Sequence, residues 1–290
     1  MRRLLPNVQV RAGLTIVALF VAVALFGPSL VSQSPTTQNL SEDLQPPRAA
    51  HPFGQDKLGR DVLSRVVYGA RVSLLVGVTV AGISACIGLA VGAFAGYAGG
   101  WTDELIMRVI DVLLAFPGIL LAIALSAVLG PSLRNVLLAL CVIGWTGYAR
   151  LVRAEVQAWR TREFVSAAVV LGATPRRIVR LHIVPHLLTP LLVQATFGMA
   201  GAIVAEASLS FLGLGVQPPT PSWGAMVNEG RSFLLVAPHV ALFPGLAIIL
   251  TVFALHFLGD GLRDLLDVHA VEPLSSRRRA LPLEVASPGA

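Results

Sequence analysis

The chain has 290 residues, 55% of them hydrophobic and only 13% charged, with a formal net charge of +6 and a mean hydropathy of +0.75. That is too apolar for an ordinary soluble domain and matches a polytopic membrane protein, so length is no count of globular units. The positive balance would suggest nucleic acid in a soluble chain, but here the basic residues flank apolar runs and no recognition module is present, so no nucleic-acid partner is expected.

Six apolar runs are long enough to cross a hydrocarbon core of about 30 Å, which takes about 20 helical residues. They cover 13–31, 72–98, 105–129, 133–151, 189–212 and 236–258. The first, AGLTIVALFVAVALFGPSLV, is longer than the apolar region of a signal peptide and has no small-residue exit, so it reads as an uncleaved anchor. Residues 1–35 are then the N-terminus and first anchor, and 36–71 an outer loop. Residues 72–268 form a core of five helices, and 269–290 a tail with Pro, Ser and Arg277 to Arg279 that reads as disordered. The expected fold class is an all-α polytopic membrane protein with six transmembrane helices, because every backbone polar group in lipid must be satisfied internally.

Within the runs, Gly88, Gly92, Gly96 and Gly100 recur every four residues and give one smooth face suited to close helix packing. Pro117, in LLAFPGILLA, is expected to kink the third span. Asp111 follows Arg108 by three positions, a spacing that predicts a local ion pair. Glu206 has no basic residue within a helical turn, and an ionised carboxylate in lipid is costly. It is the candidate translocation-path or gate residue, with a hydrogen bond across an interface to another subunit and a position nearer the loop as the alternatives. His239 and His256, near opposite ends of the last span, read as packed or interfacial. Cys86 and Cys141 read as small buried hydrophobes, and no metal site is expected.

The arginines set the expected orientation. With the N-terminus inside, the inner segments hold Arg2, Arg3, Arg11, Arg108, Arg263, Arg277 to Arg279 and the seven arginines of residues 148–188, as the positive-inside rule requires. Both termini are therefore expected to be cytoplasmic. The loop 36–71 is discordant, since Arg48, Lys57, Arg60, Arg65 and Arg71 would lie outside.

The segment YARLVRAEVQAWRTREFVSAAVVLGATPRRIVRLHIVPHLL has an order that topology alone does not explain. An Ala-rich helix ends at Gly172, placed to supply a left-handed turn. Thr174 and Pro175 offer a cap and first turn for a second helix, which is expected to stop at Pro185. Ala167 and Ala168 leave the first helix with a shallow face suited to a groove in another protein.

This stretch resembles the EAA loop of ATP-binding-cassette importer permeases, whose pattern is E-A-A, three residues, G, nine residues and I-x-L-P. Ala167, Ala168, Gly172 and Pro185 match in register, while Ser166, His182 and Val184 stand where the family has Glu, Ile and Leu. HPFGQDKLGRDVLSRVVYGARVSLLVG at 51–77, SFLGLGVQPPTPSWGAM at 210–226 and GDGLRDLLD at 259–267 are similar to the second permease subunit of the dipeptide, oligopeptide and nickel importers.

That resemblance implies a type I permease fold in a bacterial plasma (inner) membrane. It implies a homologous permease, two cytoplasmic ATPase subunits and an extracytoplasmic substrate-binding protein as partners. Ser166, Ala167, Ala168, Gly172 and Pro185 would be the ATPase coupling residues, in a loop at about 152–188. The cargo implied is a dipeptide or oligopeptide, with a nickel chelate or other small solute as the alternative. The only lysine, Lys57, precedes Leu58, so no G-x-x-x-x-G-K-[ST] phosphate loop exists. No catalytic residue or cofactor is expected in this chain, and ATP and Mg would be used by the partners. A secondary transporter or channel is the rival class, but half-to-half similarity and several intramembrane charges are not seen.

Overall fold

The computed structural model describes residues 8–266, so the expected tail at 269–290 lies outside the described residues. Among the described residues the chain is helical, with two isolated bridge pairs in the loop that precedes the second helix. α1 (Val8–Leu30), α2 (Val62–Ala98), α5 (Leu133–Arg160), the continuous helical stretch Pro175–Phe211 and α10 (His239–Leu266) contain segments long and apolar enough to cross a membrane. α3 (Gly100–Ala115) and α4 (Gly118–Leu129) are apolar enough together but bent by 82°, so the described residues hold five crossings, or six where this pair counts as one broken span. The expected kink at Pro117 is thus a full break. A proline ring disfavours the helical region for the residue before it. Phe116 is accordingly extended, with φ −88° and ψ 136°.

α2 is central, packed on α5 and on the Pro175–Phe211 stretch, while α1 lies against α10 and α2. It has 37 residues. Such a helix extends about 55 Å, well beyond a hydrocarbon core of about 30 Å, so it projects past the membrane. It begins at Val62, inside the stretch 36–71 expected to be loop. Asp61 makes that start possible by accepting the Ser64 N–H at 2.7 Å as an N-cap. The glycine stripe packs against α5: a Cβ at Gly88 or Gly92 would run into α5 backbone, and one at Gly96 would lie 2.8 Å from the Arg153 carbonyl oxygen. Gly100 leaves the stripe and opens α3 at φ +57°.

The arginines of the discordant loop find acceptors within the fold, although the buried Nε of Arg65 has no partner. Asp56 accepts Arg60 Nε at 2.7 Å and also binds Arg65, while Glu229, in α9 (Trp223–Gly230), receives Arg60 at 2.8 Å and Arg65 at 3.3 Å. Arg48 pairs with Glu42 at 2.7 Å, and its guanidinium, helped by Gln55, holds the Glu42 carboxyl below the usual carboxylate range. Arg71 donates to the carbonyls of Ala24 and Leu25 at 2.8 and 2.9 Å. Pro28 inside α1 has no N–H for the Ala24 carbonyl four residues back, and Arg71 supplies the missing donor. His239 is buried, with Nε2 donating to the Gln55 carbonyl at 3.1 Å. His256 bonds the Val252 carbonyl one turn back at 2.8 Å.

Candidate functional site

At the arginine-rich end of the bundle, α5 gives way to α6 (Glu163–Val170), which turns at Gly172 and re-enters through α7 (Pro175–Arg177). The turn is a Schellman motif: Ala173 N–H reaches the Ala168 carbonyl at 3.0 Å and Gly172 N–H the Val169 carbonyl at 2.9 Å. Gly172 sits at φ +79°, the left-handed conformation anticipated for it, and no atom lies within 4 Å of where its Cβ would be. Thr174 takes the extended N-cap conformation, but its side chain makes no capping bond.

The second helix does not stop at Pro185. Ile178–Ile183 form a π turn, marked by the Val184 N–H reaching back five residues to Val179, and α8 (Val184–Phe211) continues with Pro185 in its first turn. A proline near a helix start gives up an N–H that has little intrahelical use, so the chain passes through without a break.

One face of α6 is covered by its own chain. Val165 and Ala168 are buried against Ile178 and Ile183. Trp159 stacks on His186 at 4.2 Å and Phe164 closes the cluster at 5.7 Å, fastening α6 to the ends of α5 and α8. The other face is open. Ser166 and Ala167 are exposed, and Val170 and Leu171 are each 87% exposed at the tip of the turn. The structure therefore brings Ser166, Ala167, Ala168 and Gly172 onto one small protrusion, with Ala168 on its inner side and Pro185 below it. Ser166 Oγ turns back to the Arg162 carbonyl at 3.4 Å. The bracing residues Trp159 and His186 carry no sequence signal, because their stacking joins two different helices.

Two of the segment's arginines hold α3. Arg153 forks onto both oxygens of Asp103, with Gln157 adding a bond at 3.2 Å. Arg150 binds Asp111. The ion pair expected between Arg108 and Asp111 is therefore replaced by one across helices, since α5 runs alongside α3 and offers a closer guanidinium. Cys141 is buried but Cys86 is exposed, against the expectation for both: the outward face of α2 is apolar and needs no cover from its own chain to suit lipid.

Glu206 is 0% exposed, near the opposite end of α8. Its Oε1 accepts the Ser210 hydroxyl at 2.6 Å, and Ser210 Oγ in turn accepts the Val216 N–H at 3.1 Å, so the carboxylate anchors the turn that follows α8. Ser222 lies beside it at the cap of α9, outside hydrogen-bond geometry, and Oε2 has no partner. A cavity of about 280 Å³ between α2, α4, α5 and α8 is lined in part by Ser84, Tyr148, Gln194 and Gly198; Glu206 is not part of its wall. On this geometry Glu206→Gln, which keeps an acceptor for Ser210, should leave assembly and transport near normal. Glu206→Leu should orphan the buried hydroxyl and destabilise by about 1–3 kcal/mol. Thermal unfolding and uptake on the two variants check this, and a Gln variant that assembles normally but loses uptake would give the charge a role in the path.

The comparisons with known proteins agree with this architecture. Residues 88–270 match the family described as binding-protein-dependent transport system inner membrane component, and residues 1–47 match the N-terminal TM domain of oligopeptide transport permease C. The dipeptide transport system permease protein DppC of Alkalihalophilus pseudofirmus is 46% identical over 92% of this chain and 88% of its own. The glutathione transport system permease protein GsiD of Escherichia coli is 50% identical over 76% of this chain and 73% of its own. A chain of the MetNI methionine ABC transporter, in an inward-facing conformation, shares the fold with a TM-score of 0.57 at 20% identity, covering 69% of this chain and 95% of that one. Five or six apolar crossings, a braced helical protrusion between α5 and α8, and similarity over nearly the whole length lead to one assignment: the chain belongs to the inner membrane components of binding-protein-dependent transport systems.

Proposed function

We propose that this chain is the second permease subunit of an ATP-driven importer of short peptides, non-catalytic in itself. It works beside a homologous permease, on two ATPase subunits that use ATP and Mg, and receives cargo from an extracytoplasmic binding protein. The observation that carries the reading is the α6 protrusion: an apolar tip, Val170 and Leu171, left bare by its own chain yet held rigid by the Schellman turn and the Trp159–His186 stack. A rigid bare tip is built to be gripped, and a push on α6 reaches α5 and α8 directly because both are fastened to it. Ser166 and Ala167 form the gripped surface with the turn at Gly172, Ala168 seats α6 on its own chain from the inner side, and Pro185 lies in the first turn of the helix that carries the motion inward. The arginine-rich end is then cytoplasmic, as are both termini. Peptide cargo is favoured by the dipeptide and glutathione relatives, both of which are named for peptide-like solutes.

Gly172→Val tests the coupling. The substitution meets no neighbour. Its cost is therefore the left-handed backbone alone, about 1–2 kcal/mol, and escape from that strain misaims the tip. Membrane insertion should be unchanged, while a cysteine at position 170 should crosslink to the ATPase in the parent and lose most of that crosslink in the variant. Equal crosslinking and equal ATP-driven uptake in the two proteins would remove the turn from coupling.

A further inference from the structure

A second surface at the arginine-rich end is unlike the first. Between the last turns of α2 and the helix entered at Pro175 lies an open groove of about 970 Å³. Its wall is apolar, with Leu89, Ala93 and Phe94 on α2 facing Val179 and Val184. Arg160, Arg176 and Arg180 stand on its lining as well, all three exposed, and among the described residues none of them pairs with a carboxylate. Arg160 is parked over the Tyr97 ring at 5.4 Å. A ring face is a common resort of a guanidinium that has no anion.

We propose that this groove binds one anionic phospholipid, its phosphate held by Arg176 and Arg180 with Arg160 at the flank, its acyl chains along α2. The inference rests on the membrane placement given above. Charge and shape both favour a lipid. From Leu89 to Tyr97 the wall climbs about 12 Å along α2, apolar depth that suits hydrocarbon. The cations gather only where α2 ends. Basic pockets between transmembrane helices at a membrane surface recognise anionic headgroups in this way. Arg176 and Arg180 lie one helical turn apart, so both can face one phosphate.

The test uses the assembled complex in nanodiscs of equal phosphatidylglycerol and phosphatidylcholine, with retained lipids counted by native mass spectrometry. The expected result is one phosphatidylglycerol retained per copy of this chain in preference to phosphatidylcholine. In Arg176→Gln/Arg180→Gln that retention should fall about tenfold, and in Arg176→Lys/Arg180→Lys it should largely persist. The Lys variant keeps the measurement informative should the Gln variant assemble poorly. Equal retention of phosphatidylcholine, undiminished phosphatidylglycerol in the Gln variant, or displacement by millimolar inorganic phosphate would each overturn the proposal. So would loss of the ATPase from the Gln variant with its lipid count unchanged, which would make the groove a protein seat. The lipid count needs neither ATP nor cargo, so it fails or holds independently of the transport reading.

Discussion

Asp56→Ala is expected to cost about 3–5 kcal/mol, because it leaves buried guanidinium groups without their acceptor. Asp56 is 2% exposed and binds both Arg60 and Arg65, and its Oδ1 also receives the backbone N–H groups of Leu58 and Arg60. Glu229 would remain, but it already accepts from Arg60 and lies 3.3 Å from Arg65, and it cannot replace the bonds to the loop backbone. The local fold of residues 55–61, the start of α2 and the docking of α9 all meet at this carboxylate, so the loss should spread to each. Thermal unfolding of the purified protein reads the effect directly. Asp56→Asn, which keeps part of the backbone hydrogen bonding, should fall between parent and Ala variant. An unchanged melting temperature in Asp56→Ala would mean that the network does not hold this end together.

The second large effect is expected at Gly92. A Cβ there meets the Ala149 carbonyl oxygen and the Val152 side chain, so α2 and α5 touch backbone to backbone at this point. Gly92→Leu must push the two helices apart, because peptide groups cannot rotate away as a side chain can. Overpacking of this kind costs about 1–3 kcal/mol or more where the neighbours are rigid. α5 also carries Arg150 and Arg153, which hold α3, so the displacement should weaken the α3 contacts too. Gly82→Leu is the matched control: it lies on the same helix with no atom within 4 Å of its Cβ, and it should be tolerated. Equal yield and equal melting temperature for the two variants would show that the close approach is dispensable.

Much of the fold was legible because lipid imposes long apolar runs, and five of the six runs lie in one continuous helical stretch each, while 105–129 is split between α3 and α4. Pro117 and Gly172 announced their own geometry, since each constrains the backbone at its own position. The glycine stripe was legible as a face, though only the structure shows that α5 is what it faces. Features that join distant segments were not legible. Arg60 and Glu229 are 169 residues apart, and no local spacing could pair them. The same holds for Arg150 with Asp111 and Trp159 with His186. The arginines of the loop before α2 looked unpaired in the sequence because Asp56, Glu229 and the Ala24 and Leu25 carbonyls could not be matched to them by local spacing. Pro185 misled because a proline is a local stop signal, whereas a π turn and a helix start beside it let the chain continue. Glu206 stood out correctly as a buried carboxylate, but its partners Ser210 and, through it, Val216 required the turn after α8 to fold back.

The central claim is that this chain conducts peptide only when partner ATPases drive it. It is tested most directly in sealed vesicles, with labelled dipeptide and binding protein outside, containing either this chain alone or the chain with its partner permease and ATPase subunits. The account predicts uptake against a gradient in the complete complex, dependent on ATP and on the binding protein, and no uptake and no saturable nucleotide binding by the chain alone. Dipeptide flux through the chain alone without ATP, or stoichiometric ATP binding by the isolated polypeptide, would contradict it.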